Sequence, residues 1–208
     1  MIHWSLELST APTLEPVTLG EAREHVVLAT ADDDAWLDAR INEARKRVEA
    51  HSGKALLTQT WKLRLDRFPP SGVIRLPMPP LASVTSIAYT DTDGASQTLS
   101  SALYTVSAYT EPGHIVPAYG ESWPSIRYQA GVPAVTVMYV AGETSQGHHR
   151  LIPARRAIVD LVALWYEHRE GTVEFATVHL VTDIEERILA GRLDADFTCY
   201  HDFGAWCG

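Results

Sequence analysis

Cysteine is nearly missing from this 208-residue chain: there are two, Cys199 and Cys207, both within the last ten residues. They are too few and too late to staple the body of a fold, so a reducing, cytosolic site of synthesis is expected. Long apolar runs are missing as well. The longest, Ala134–Ala141, is broken by Thr136 and falls well short of the ~18 residues a membrane span needs. The opening Met1-Ile2-His3-Trp4-Ser5 sets no basic stretch ahead of an apolar one, so no secretory signal is expected. Basic residues are in deficit, 17 against 26 acidic, for a formal charge of −9. That balance argues against wrapping nucleic acid by charge neutralisation. It leaves room for a protein past which nucleic acid slides.

The familiar catalytic signatures are lacking too. There is no phosphate loop, no Gly-x-Ser-x-Gly elbow, no His-Glu-x-x-His and no dinucleotide fingerprint. Internal repeats and low-complexity segments are absent. No enzyme, cofactor or metal is therefore expected. Four weaker constellations have plainer readings. His148-His149 suits a solvated turn in a Gly-rich loop. Asp91-Thr92-Asp93-Gly94 resembles the start of a calcium loop but has no closing Glu, and fits a hairpin turn. Asp32–Asp34 suits a helix start. Cys199, His201 and Cys207 fit no usual zinc spacing.

What is present is a foldable soluble composition, 46% hydrophobic and 21% charged, sized for one domain or two small ones sharing a core. Its charge is segregated. Residues 1–58 hold 10 acidic and 6 basic side chains, residues 59–150 hold 6 and 6, and residues 151–208 hold 10 and 5. Proline runs the other way, with 9 of 12 inside 59–150. The pattern predicts an α+β fold: helical flanks with about four helices, an antiparallel β-rich insertion, and an extended C-terminal tail.

The helical flanks carry local signals. After an arm expected to be loose to about Val17, Thr18-Leu19-Gly20-Glu21 is a capping box and opens a short helix to about Leu28. Asp32–Asp34 begins a second helix. Its stripe is Leu37, Ile41, Ala44 and Val48, its end is Gly53, and Arg40, Arg45, Lys46 and Arg47 are expected off the stripe. Pro153 opens a third, with Ile158, Leu161, Val162 and Trp165 on one face, to about Arg169. Thr182-Asp183-Ile184-Glu185 is a second capping box, for a helix stopping at Gly191. In the insertion, strands are expected near 61–65, 73–76, 83–89, 103–107, 114–118, 125–129 and 134–140. Boundaries follow at 1–58, 59–150, 151–193 and 194–208.

The tail has a signal of its own. Phe197, Tyr200, Phe203 and Trp206 recur every third residue. That period suits an irregular or polyproline-like strip in a partner's groove; folding back onto its own domain is the alternative.

Taken in order, several segments resemble the head-tail connector (adaptor) proteins of long-tailed phages. They are Val17–Ala22, Glu49-Ala50-His51-Ser52-Gly53, Pro79–Tyr89 with Asp93-Gly94, and Leu103-Tyr104-Thr105-Val106 with Gly113-His114-Ile115 and Trp123-Pro124. Val135–Gly142, Ile152-Pro153 and Ala157-Ile158 through Tyr166-Glu167-His168-Arg169-Glu170 continue the match. It covers about Pro16–Leu193, and order and spacing carry it rather than any one motif. Related proteins occur in gene transfer agents, phage-like particles kept by bacteria. The resemblance implies a structural protein in the neck of a virion or phage-like particle, made in the bacterial cytoplasm. It implies a small helical bundle carrying the β-rich insertion, assembled as a ring, expected to have twelve subunits, on the portal vertex of the capsid. The ring would extend the DNA channel, receive the next neck or stopper protein, and reach into the portal protein through the C-terminal segment. On that reading Phe197, Tyr200, Phe203 and Trp206 are the portal-binding residues. Glu170, Asp183, Glu185 and Glu186 are candidates to line the channel, where carboxylates would let DNA pass without a grip. Another neck component (a stopper or tail terminator) is the main alternative, and a small hydrolase centred on His149 a distant one.

Overall fold

In a computed structural model, residues 2–28 and 30–168 are described. They form a mixed α/β fold with three α-helices and two antiparallel sheets. In chain order these are β1 (Trp4–Thr10), α1 (Leu19–His25), α2 (Asp34–Ser52), β2 (Gln59–Leu65), β3 (Ile74–Arg75), β4 (Leu81–Thr90), β5 (Ser96–Thr98), β6 (Tyr104–Ser107), β7 (His114–Pro117), β8 (Val135–Ala141) and α3 (Ile152–Glu167). They fall into two compact units. A β unit takes residues 2–12 and 58–143, and a helical unit takes 13–57 and 144–168.

In the β unit, the larger sheet runs β1-β2-β8-β4-β5 and the smaller β3-β7-β6, with every pairing antiparallel. Period-2 alternation puts one apolar face on each. Leu6, Leu63, Val137 and Ile87 stand side by side across four strands, and the last three are buried. Tyr139, on the same face, donates its hydroxyl to the Pro77 carbonyl at 2.8 Å, just past β3. Gly113, ahead of β7, lies against Leu81, where a Cβ would stand 2.6 Å from a Leu81 methyl. Only glycine permits that approach without repacking.

Two sequence expectations fail in this unit. Residues 4–10, expected in a loose arm, form β1, paired to β2 from Trp4↔Leu65 to Thr10↔Thr60. The segment Ser125–Gln129, expected as a strand, is irregular. It is anchored by individual contacts instead of a ladder. Trp123 stacks on Phe68 at 4.8 Å and donates Nε1–H to the Gly72 carbonyl. The Arg127 amide bonds to the Thr90 carbonyl. Arg67 donates to the Tyr128 hydroxyl and lies over its ring.

In the helical unit, Leu37, Ile41, Ala44 and Val48 of α2 pack with Ile158, Leu161 and Val162 of α3, and with Val17, Ala22, Leu56, Leu57 and Leu151. Gly53 ends α2 in the left-handed region at φ 64° and donates to the Glu49 carbonyl. Asp33 is the N-cap of α2 but makes no side-chain cap bond. Its carboxylate accepts from the Tyr166 hydroxyl at 2.8 Å, and Asp34 pairs with Arg23 of α1. These carboxylates hold α3 and α1 to α2. The bundle holds three α-helices among the described residues rather than about four; the helix expected at 182–191 lies outside them.

Arg45 is the main departure on α2. Expected off the apolar stripe, it is 1% exposed. Its Nε donates to Glu15 at 2.7 Å and a terminal nitrogen to Glu49 at 2.8 Å. Asn42 also donates to Glu15, the Leu56 amide donates to Glu49, and the Gln146 side-chain amide donates to the Glu15 carbonyl. Removing one partner of such a pair strands a buried charge, so Arg45→Ala should cost ~3–5 kcal/mol in urea unfolding. Arg45→Met, which refills the volume, should still take the guanidinium from Glu15 and Glu49 and lose nearly as much. Arg45→Met together with Glu15→Gln and Glu49→Gln, which removes every charge of the cluster, should recover most of that loss, and a triple variant as unstable as Arg45→Met would contradict the stranded-charge account.

Candidate assembly surfaces

None of the residues singled out from the sequence as portal-binding (Phe197, Tyr200, Phe203, Trp206) or channel-lining (Glu170, Asp183, Glu185, Glu186) falls within the described residues. The surfaces available therefore belong to the two units.

On the helical unit, α1 and α3 border an open groove of about 580 Å³, with Val17, Ile152 and Val159 as its apolar lining and Glu21, Arg155 and Asp160 among its polar groups. The sequence places Glu21 here by capping. Thr18 Oγ1 accepts from the Glu21 amide at 3.2 Å, and the Glu21 carboxylate accepts from the Thr18 amide at 2.8 Å. Arg155 reaches the same carboxylate from α3. The Thr18 amide, then its hydroxyl and Arg155, hold the Glu21 carboxyl below its ordinary range, against a smaller opposing effect of burial. His25 approaches Asp160 at 3.8 Å. The groove thus carries paired charges around a small apolar floor, a chemistry for contact with a protein surface.

Of the weaker sequence constellations, Asp91–Gly94 lies on the β unit and resolves into a turn, while Cys199, His201 and Cys207 lie outside the described residues. Asp91 accepts from the Asp93 and Ala95 amides and from Gln97, closing the β4–β5 hairpin, and the Gln97 bond, then the Ala95 amide, lowers its carboxyl pKa. His148 and His149 lie ring to ring at 4.5 Å in the helical unit's entry to α3. Among the described residues no group of three or more His, Cys, Asp or Glu side chains gathers as a metal site, and no helix is long and apolar enough to cross a membrane. Sequence reasoning missed the apolar side chains left exposed on the β unit, Leu8 and Val106 with Tyr109 and Tyr119. Leu8 lies on β1, expected as a loose arm, and Val106 on β6, and only pairing shows which strands become edges.

Charge is spread evenly over the two units. The described helical residues hold 11 acidic and 9 basic side chains, those of the β unit 7 and 5, and residues 169–208 hold 8 and 3. Most of the acidic excess therefore lies in the last forty residues.

No protein-family profile matches the chain, and no curated protein does. Solved structures do match. A chain in the neck of a native gene transfer agent particle, computed with C12 symmetry, is 24% identical, with a TM-score of 0.66 over 88% of this chain and 94% of that one. A chain in the neck of an empty particle, computed with C6 symmetry, is 23% identical, with a TM-score of 0.65 over 86% and 94%. A chain in the virion of a native gene transfer agent particle is 23% identical, with a TM-score of 0.64 over 86% and 93%. The likeness is one of fold, and it spans nearly the whole of each chain.

The capping box generates a pH prediction. A carboxyl held low in the fold contributes stability that is complete above its unfolded pKa and fades as pH falls through its folded pKa. Glu21→Gln should therefore be less stable than wild type at neutral pH and converge with it in acid, as followed by thermal melts. Thr18→Ala should cost ~1 kcal/mol at neutral pH. A Glu21→Gln deficit that persists unchanged into acid would contradict this account.

Proposed function

We propose that the chain is a structural, non-catalytic subunit of the neck of a phage or phage-like particle, and specifically a head-tail connector (adaptor). The observation that carries the proposal is the fold likeness to neck chains of gene transfer agent particles, at TM-scores of 0.65 and 0.66 over 86% and 88% of this chain. The sequence resemblance to adaptors supports it from a separate direction. The C6 and C12 symmetry of those necks supports a ring of this chain, with twelve copies as the expected number. The ring would sit on the portal protein, extend the DNA channel and receive the next neck or stopper protein.

The physical requirements of such a ring fit the chain. Copies must contact one another through surfaces that repeat around the axis. An anchor must enter the portal, and the aromatic strip Phe197, Tyr200, Phe203 and Trp206 is suited to that. A helix over 182–191, as the sequence predicts, would bring the helices to about four. The lumen must not hold DNA, because every phosphate contact adds affinity and slows passage. The acidic excess of residues 169–208, with Glu170, Asp183, Glu185 and Glu186 among its carboxylates, suits that surface. A second reading, a stopper or tail terminator docked on an adaptor, is favoured by the eight strands of the β unit.

The test is binding to the portal ring. The full chain should bind, a chain lacking residues 195–208 should lose that binding, and Phe203→Ala with Trp206→Ala should lose ~2 kcal/mol or more, as interface anchors do. Failure of the full chain to bind portal would overturn the adaptor reading, and binding to an adaptor ring instead would establish the stopper reading. Undiminished binding by the truncated chain would overturn the role of the tail.

A further inference from the structure

Register across the two sheets shows where the apolar face of each runs out of cover. In the larger sheet, Tyr139, Trp61 and Leu8 stand side by side, next to the row of Val137, Leu63 and Leu6. Tyr139 and Val137 are fully buried, whereas Leu8, on the edge strand β1, is 38% exposed. The smaller sheet repeats the pattern. Ile74, Ile115 and Val106 form one row; the first two are buried, and Val106, on the edge strand β6, is 37% exposed. Each sheet therefore carries its core face beyond the core at one edge. Neither β1 nor β6 contains proline or lysine, although the β1 register shifts between Leu8 and Thr10 and β6 is only four residues long, so regular pairing is available along 4–8 and 104–107. Glu7, the only charged side chain on either strand, is paired with Arg64 at 2.6 Å.

We infer that the β1 edge of one copy and the β6 edge of the next form the contact between neighbouring subunits. The inference rests on the ring reading and names its surfaces. Two strips of matching chemistry on one chain are what a head-to-tail contact needs, since it joins two different surfaces and closes into a ring when the rotation fits. A β1–β1 contact would be isologous and would stop at a dimer. Both strips are apolar and without unpaired charge, so each suits the other better than it suits a charged partner. Strand edges add backbone hydrogen bonds to the buried side chains.

The test is photo-crosslinking of the full chain carrying Leu8→p-benzoylphenylalanine, prepared as an equal mixture of 14N- and 15N-labelled chains. Mixed-isotope crosslinks between position 8 and residues 104–107 are expected. Crosslinks confined to one chain, crosslinks to residues 169–208 (the chain's own tail as the cover), or none would each overturn the inference. Independently, Leu8→Glu and Val106→Lys should each weaken self-association in sedimentation by roughly tenfold or more, with unchanged circular dichroism. The double variant L8E/V106K should regain part of the loss, because every contact would then set Glu against Lys. Equal self-association by both single variants would overturn the inference. So would a chain that stays monomeric and uncrosslinked throughout, while portal binding decides the neck reading separately.

Discussion

A guanidinium buried between two carboxylates organises the helical unit. Arg45 is 1% exposed and holds Glu15 and Glu49 at 2.7 and 2.8 Å. Each of its partners is in turn engaged. Glu15 takes Asn42 on its carboxylate and Gln146 on its carbonyl, and Glu49 takes the Leu56 amide. The segment before α1, the middle of α2, the chain just past α2 and the segment leading to α3 therefore converge on one cluster. Buried ion pairs contribute little net stability because desolvation offsets the Coulomb attraction. What the cluster provides is a shared set of polar contacts at which these four segments meet.

With the helical unit fixed, its outer polar groups are largely satisfied among themselves. Arg23 pairs with Asp34, Arg155 with Glu21 and Arg40 with Glu43. Such pairs add little stability at the surface, but they leave few isolated charges to capture nucleic acid. The β unit differs, because its surface is less complete. Its two sheets bury their central strands and leave apolar side chains at β1 and β6. Under the proposed ring, such edges would meet neighbouring copies and the acidic last forty residues would suit the channel.

Much of the fold was legible where the signal is local. The capping box at Thr18–Glu21, Gly53 at the end of α2, Pro153 in the first turn of α3 and the Asp93-Gly94 hairpin depend on residues a few positions apart, and each stands where the sequence places it. Strands β2, β4, β7 and β8 were legible by alternation, within a residue or two at their ends. The failures are nonlocal. The Trp4-Ser5-Leu6-Glu7-Leu8 segment alternates, but only its pairing with residues 60–65 makes it a strand. Arg45 has the composition of a surface residue and is drawn inward by a carboxylate thirty positions away. Residues 125–129 alternate as a strand would, yet Trp123, Arg127 and Tyr128 are each held by a separate partner. The tail aromatics and the channel carboxylates came from composition and resemblance and lie outside the described residues, so the surfaces derived from structure are different ones.

The central claim is that this chain joins head to tail in a phage-like particle. Deleting its gene from the producing cell and counting particles by electron microscopy tests that claim most directly. The account predicts filled heads and free tails that no longer join, with joining restored by the wild-type gene supplied separately. Particles that remain joined, head to tail, in the deletion strain would contradict it.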